Sequence, residues 1–265
     1  MNKFLGDFKV IDRTLRISKN GAEYLRIIVE GEQGAEIAYC YNDVAHCLKI
    51  LDQTDSVSLY GFRMVNDGKS FISVQRLMIS FVQLYVDYTT RFHEIIKYIS
   101  EDNCHEVFMS IYREPDIISS FFLVPASLNS HHAHMSGLLV HTVEAMEFGL
   151  SLCESSLFKY DIDKSTLLLG LFLHDIGKAL CYKVEGYDMF MTDRGRKIGH
   201  VTMGAELFLN KVCDLKDFPV NLKEKLVNII LSHHYSSKVK PISIEANIVR
   251  NLDSLSASIE GLGVV

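Results

Sequence analysis

Residues 171–180 read LFLHDIGKAL, an apolar run broken near its centre by His174 and Asp175. Burying an imidazole or a carboxylate without a partner is costly, and one metal ion would satisfy both groups at once. The longer stretch KSTLLLGLFLHDIGKAL has helical spacing. It predicts a buried helix and raises the question of where further metal-competent side chains lie.

Working outward, the same combination recurs. His141 lies in GLLVHTVEAM, His200 opens HVTMGAELF, His233 and His234 close VNIILSHHY, and Asp253 sits in IVRNLDSLSA. All but His200 fall inside or at the end of an apolar helical run. A single histidine on an apolar face is more often a hydrogen-bonded core residue than a ligand. His233 and His234 could equally cap a helix C-terminus, where imidazolium suits the dipole. Together, however, five helices would each have to bury such a group for unrelated reasons. Neighbours on a helix project about 100° apart, so an adjacent pair can address two nearby ions. Imidazole and carboxylate without thiolate favour Mn²⁺ or Fe²⁺, although Zn²⁺ and Ni²⁺ also accept imidazole. The set is too large for one ion with open positions and suits two divalent ions.

Upstream the period changes. From Phe4 to about Ser80 the chain consists of short β-rich runs: FKVIDRTLRIS, YLRIIVEG, AEIAYCY, SVSLYGFRM and SFISVQRLM. Turn signals separate them, including the dipeptides Asn20-Gly21 and Asp67-Gly68. NDVAHCLKILDQTD reads as a short helix between the third and fourth runs. Five strands with a helix after the third is the order of an OB-fold, a small barrel that often binds single-stranded nucleic acid. A barrel used only for packing or assembly would have the same order. Beyond Ser80 helical spacing takes over. The expected architecture has two domains: an all-β OB-fold-like barrel over residues 1–80, connecting helices over 81–125, and an all-α helical bundle over 126–265.

The 265 residues carry 27 basic and 33 acidic side chains, a net charge of −6. No global basic field advertises nucleic acid, but a local groove or a metal cluster can hold phosphate on an acidic protein. The six cysteines form no C-x-x-C pair, so the pattern points to reduced thiols rather than a zinc knuckle or a disulfide framework. MNKFLGDFKV lacks the apolar core of a signal peptide, and LLLGLFLH is far too short to span a bilayer. A soluble, cytoplasmic protein without a membrane partner is expected.

The order H…HD…H…HH…D resembles the HD-domain metal-dependent phosphohydrolase superfamily in its two-metal form. It is carried by SHHAHMSGLLVHTVE, LLLGLFLHDIGK, MTDRGRKIGHVTMGAELF, IILSHHY and NLDSLSA. Within the superfamily the chain is similar to the YhaM-type 3′→5′ exoribonucleases, which place an OB-fold before the HD domain. The resemblance covers nearly the whole chain. One departure is Ser256, which stands where that family tends to have a second Asp; Asp253, in the ligand position, is kept.

The resemblance implies that His141, His174, Asp175 and Asp253 hold one ion. Asp175, His200, His233 and His234 would hold the other, with Asp175 bridging and central to catalysis. Lys178, one turn beyond His174, would reach a phosphate oxygen in the reaction, or else be a solvated lysine at a helix end. Arg196 would clamp a phosphate or form a structural salt bridge, and His131 and His132 would contact substrate. The implied cofactor is a pair of divalent ions, Mn²⁺ first, with Fe²⁺, Ni²⁺ or Zn²⁺ as alternatives. The implied activity is a two-metal phosphodiesterase, a 3′→5′ exonuclease degrading single-stranded RNA, and DNA as a further substrate, to nucleoside monophosphates. The partner would be single-stranded nucleic acid, RNA favoured, and a homo-oligomer is open to it.

Two alternatives stand beside it: an HD-domain phosphohydrolase of small or cyclic nucleotides, and a non-catalytic nucleic-acid binding protein. Against a cyclic-di-GMP enzyme, YSSKVKP rather than GYP follows the histidine pair. In the first half, Tyr24, Tyr39, Tyr41, Tyr60 and Phe62 could stack bases or simply fill the barrel, and Lys19, Arg26 and Arg63 could track a backbone.

Overall fold

Strand β2 (Glu23–Gly31) alternates in burial: Leu25, Ile27 and Val29 have no exposure, while Tyr24, Arg26 and Ile28 between them are half-buried. In the computed structural model, which describes residues 2–32, 34–66, 68–128, 132–156, 159–185 and 188–263, such alternation builds a closed barrel. Its other strands are β1 (Asn2–Ile17), β3 (Gly34–Cys40), β4 (Ser56–Asn66) and β5 (Lys69–Ile79), in the order β1-β2-β3-β5-β4. The long β1 closes it. Its first half, to Lys9, pairs with β4, and from Lys9 onward it pairs with β2, with a register shift between Val10 and Asp12. A second shift falls at Tyr60 and Gly61. Only glycine fits there, since a Cβ on Gly61 would lie 2.2 Å from the Ser73 carbonyl oxygen.

Helix α1 (Val44–Leu51) follows the third strand and inserts Cys47, Ile50 and Leu51 into the barrel core. The strand order and the helix position make this unit an OB-fold, as the sequence order predicts. Gly21 takes φ 84° in the first turn; Asp67, expected in the last one, lies outside the described residues.

The chain divides into two compact units, the second running from Asp87 to Gly263. Helix α2 (Phe81–Ile95) leads into it and is followed by α3 (Asp102–Tyr112), α4 (Pro115–Leu123), α5 (Gly137–Glu154) and α6 (Lys164–Leu173). Then come α7 (Lys178–Cys181), α8 (Asp193–Ile198), α9 (His200–Cys213), α10 (Val220–Ser232) and α11 (Ile244–Gly263). Helix α6 is buried from Ser165 to Leu173, the mark of a helix apolar all round and packed on every side. Phe92, Phe108 and Phe121 gather around Phe172, with ring centroids 6.0, 5.1 and 5.3 Å away. This cluster fixes α6 two residues before His174.

Two features differ from the expected bundle. The helix through residues 164–180 is not continuous: α6 stops at Leu173, residues 174–177 turn, and α7 is one short turn. A small antiparallel hairpin, β6 (Tyr182–Glu185) with β7 (Asp188–Met191), also interrupts the helices. Four-residue strands carry too little alternation to stand out against neighbouring helical spacing. Among the described residues, no helix is long and apolar enough to cross a membrane.

Candidate metal centre

Helices α6 and α10 end in the same way. The last carbonyls of a helix lack intrahelical donors. Here His174 Nδ1 donates to Leu171 O at 2.7 Å, and His233 Nδ1 donates to Ile230 O at 2.7 Å. Each imidazole therefore caps its own helix while its Nε2 turns inward. Capping and site formation, which the sequence presents as alternatives for His233, are performed by the same ring. His141 reaches the site from within α5, its Nδ1 3.1 Å from Ser256 Oγ on α11. Arg250, buried on α11, donates to Ser232 O at 2.7 Å and Val239 O at 3.1 Å, holding both ends of the loop that carries His233 and His234.

The seven side chains fall into two groups that share Asp175. In the first, His141 Nε2 lies 3.2 Å from His174 Nε2, 3.2 Å from Asp253 Oδ1 and 3.5 Å from Asp175 Oδ2. In the second, His200 Nε2 and His233 Nε2 lie 3.4 and 3.5 Å from Asp175 Oδ1. His234 Nε2 is 3.0 Å from His200 Nε2 and 3.1 Å from His233 Nε2. Within each group the possible ligand atoms all lie within 4.8 Å of one another. Gly177 permits this approach: a Cβ there would sit 1.9 Å from the His200 carbonyl oxygen.

The electrostatics ask for positive charge. Burial pushes His174 down to about 3 and His200 down to about 4, so both rings are neutral near pH 7. Burial pushes the Asp175 carboxyl up, but the Lys178 ammonium and the surrounding imidazoles outweigh it and hold the group well below the usual carboxylate range. With Nδ1–H spent on a carbonyl, the His174 Nε2 lone pair faces carboxylate oxygens at 3.5 and 3.8 Å. Asp175 Oδ1 is buried without a hydrogen-bond partner. Acceptors converging on acceptors, around an orphaned carboxylate oxygen, fit a divalent cation in each group.

The other expected site residues are placed differently. Lys178 is buried rather than solvated, its Nζ 2.5 Å from Asp175 Oδ2. His132 is 1 % exposed, and its Nε2 lies 3.2 Å from Glu144 Oε2. Arg196 is exposed, and its guanidinium is engaged by Asp193 and by Met191 O. His131 lies outside the described residues.

Glu144 has no motif in the sequence to single it out. It accepts from Ser256 Oγ at 2.9 Å, from Tyr88 OH at 3.2 Å and from His132 Nε2 at 3.2 Å. Burial raises its pKa, and these hydrogen bonds more than reverse that, leaving it below the usual range. Its position three residues after His141, on the same helix face, is the signal that could have found it.

On the barrel, Tyr24, Tyr39 and Tyr41 form a ring cluster with centroids 5.4 to 6.1 Å apart, joined edge-on by Phe71 at 5.5 Å. Tyr41 is 54 % exposed. Arg63 is paired with Glu36 at 2.7 Å.

The HD domain family profile matches residues 138–258. The chain is similar to the dihydroneopterin 2′,3′-cyclic phosphate phosphodiesterase of Methanocaldococcus jannaschii, 32 % identical over 150 residues that cover 53 % of this chain and 54 % of that one. It is equally similar to the 3′-5′ exoribonuclease YhaM of Shouchella clausii, 32 % identical over 148 residues covering 53 % and 44 %. The matches thus span about half the length of these curated relatives. Among solved structures, the SSB domain of a Synechococcus sp. protein matches 29 % of this chain and 94 % of its own, with 19 % identity and a TM-score of 0.26. The second OB-fold domain of replication protein A from Methanococcus maripaludis matches 29 % and 83 %, with 13 % identity and a TM-score of 0.23. The strand order, not these weak likenesses, assigns the barrel.

Proposed function

We propose that this chain, whose residues 138–258 are an HD domain, is a two-metal phosphodiesterase that degrades single-stranded RNA from its 3′ end. The observation that carries the proposal is Asp175, whose two oxygens face two separate sets of imidazoles. His141, His174, Asp175 and Asp253 would hold one ion; Asp175, His200, His233 and His234 would hold the other. The imidazole and carboxylate donors, with no thiolate among them, favour Mn²⁺. When bound, such ions would supply Lewis acidity at the phosphate and an activated water.

The protein's own groups set the direction of approach. The side chains of His200 and His234 are 25 and 36 % exposed, whereas the other five ligand candidates are 10 % exposed or less. A phosphate would therefore arrive from the His200 and His234 side. Lys178 Nζ, held against Asp175 Oδ2, would lie where that phosphate's charge comes to rest. The tyrosine cluster on the barrel offers ring faces on which unpaired bases can stack, which favours a polymer over a mononucleotide. The similarity to a cyclic phosphate phosphodiesterase supports a second reading, hydrolysis of a small 2′,3′-cyclic phosphate.

Purified protein with Mn²⁺ and 5′-labelled RNA is expected to produce a ladder shortening from the 3′ end, with nucleoside monophosphate released. Intact RNA alongside rapid opening of a 2′,3′-cyclic nucleotide would replace the first reading with the second. Binding of RNA without hydrolysis of either substrate, under any of the four candidate metals, would leave only a binding protein.

A further inference from the structure

Behind the first group of ligand candidates, a short hydrogen-bonded chain leads away from His141. A serine hydroxyl has a single proton. Ser256 Oγ gives its proton to Glu144 Oε2 at 2.9 Å, so toward His141 Nδ1, 3.1 Å away, it can only accept. Ser256 has no exposure, which removes water as a competing partner. His141 must then carry its proton on Nδ1, leaving Nε2 as the lone pair that meets His174, Asp175 and Asp253. Glu144 is itself held on both oxygens, by His132 at Oε2 and by Tyr88 at Oε1. His174 and His233 obtain the same Nδ1–H arrangement from carbonyls of their own helices. His141 lies in mid-helix, where the i−4 carbonyls are already engaged, and needs an acceptor from elsewhere.

We propose that Glu144, acting through Ser256, fixes His141 in the Nδ1–H tautomer and so keeps its Nε2 available to a cation. The two are positioning residues, and the proposal rests on the metal reading above. Were Glu144 removed, the Ser256 hydroxyl would be free to turn and donate to Nδ1, placing the ring proton on Nε2, where it blocks ligation.

The test has a readout in metal-free protein. Long-range proton–nitrogen NMR spectra of histidine-labelled full chain, with His141 assigned by its loss in His141→Gln, distinguish the two tautomers. The wild type is expected to show Nδ1–H. Ser256→Ala and Glu144→Ala are expected to lose that pure signature and to bind Mn²⁺ about 10–100-fold more weakly by calorimetry, the usual cost of losing an outer-shell partner. Ser256→Thr, which keeps the hydroxyl, should restore both. The double variant should bind no more weakly than the weaker single variant, because both act along one path.

A wild-type His141 protonated at Nε2 would overturn the proposal, as would Ser256→Ala with unchanged tautomer and affinity. Should Ser256→Ala fail to fold, Glu144→Ala carries the test, and an unchanged affinity and tautomer there overturns it too. A wild type that takes up no Mn²⁺ would instead overturn the metal reading, and the metal-free spectra would still decide the tautomer.

Discussion

His174 Nε2 and Asp175 Oδ2, side chains of consecutive residues, meet at 3.5 Å with no proton to share, because the His174 ring is neutral and its one N–H is given to Leu171 O. Such a contact is unfavourable until a cation stands between its atoms. Divalent ions should therefore stabilise the fold as well as activate it. At a free Mn²⁺ concentration of about one hundred times the dissociation constant, a single site adds about 2.7 kcal/mol. Thermal melting with and without Mn²⁺ measures this, and Asp175→Ala should abolish the shift. The same variant should cut hydrolysis by more than the roughly 10–100-fold loss expected for an outer-shell change.

Acid should destabilise the metal-free protein early. An unfolded histidine titrates near about 6.5, but His174 and His200 are held down to about 3 and about 4 in the fold. Between those values the unfolded chain binds protons that the native state refuses, so stability falls as pH drops. Urea midpoints of metal-free protein should decline from about pH 6.5 to pH 4, and the decline should be shallower in His200→Gln. A flat profile across that window would contradict neutral, buried imidazoles.

Gly177→Ala should damage the centre without touching a ligand. The new methyl would collide with the His200 carbonyl oxygen and stand 2.6 Å from the Gly204 nitrogen, both backbone atoms that cannot step aside cheaply. Overpacking of this kind costs about 1–3 kcal/mol, and here it would push α9, and His200 with it, away from Asp175. Chemical denaturation together with Mn²⁺ titration should show both effects, whereas a loss of stability with unchanged Mn²⁺ affinity would separate Gly177 from the site.

On the barrel, Tyr41→Ala removes an exposed ring and should leave the fold intact. If bases stack on this cluster, binding of single-stranded RNA should weaken by about 1–3 kcal/mol. Hydrolysis of a phosphodiester that carries no bases should be unchanged. Fluorescence anisotropy with a labelled oligonucleotide measures the first effect, and an unchanged anisotropy curve would assign the tyrosines to barrel packing alone.

Much of this was legible in the chain because periodicity and burial speak directly. The alternation of Leu25, Ile27 and Val29 marks a barrel strand, and a histidine at the end of a leucine run marks an inward-facing helix terminus. What stayed hidden depends on contacts between distant residues. Gly177, in the turn after Leu173, lies against α9, and no local pattern announces that partner. Ser256 looked like a departure from a family pattern, and only its distances to His141 and Glu144 give it a task. The sequence places His132 just before α5 and does not show that it is buried. Its burial follows from Gly137, whose missing side chain lets the His132 carbonyl settle against the start of that helix.

The double duty of β1 has a consequence for how the first unit would tolerate shortening. Its early residues stitch it to β4 and its later ones to β2. A truncation at Lys9 would leave one seam zipped and rip the other, converting a cylinder into an open ribbon with a bare β4 margin. Such margins recruit neighbouring chains. The truncated form should therefore precipitate or self-associate rather than behave as a slightly smaller barrel.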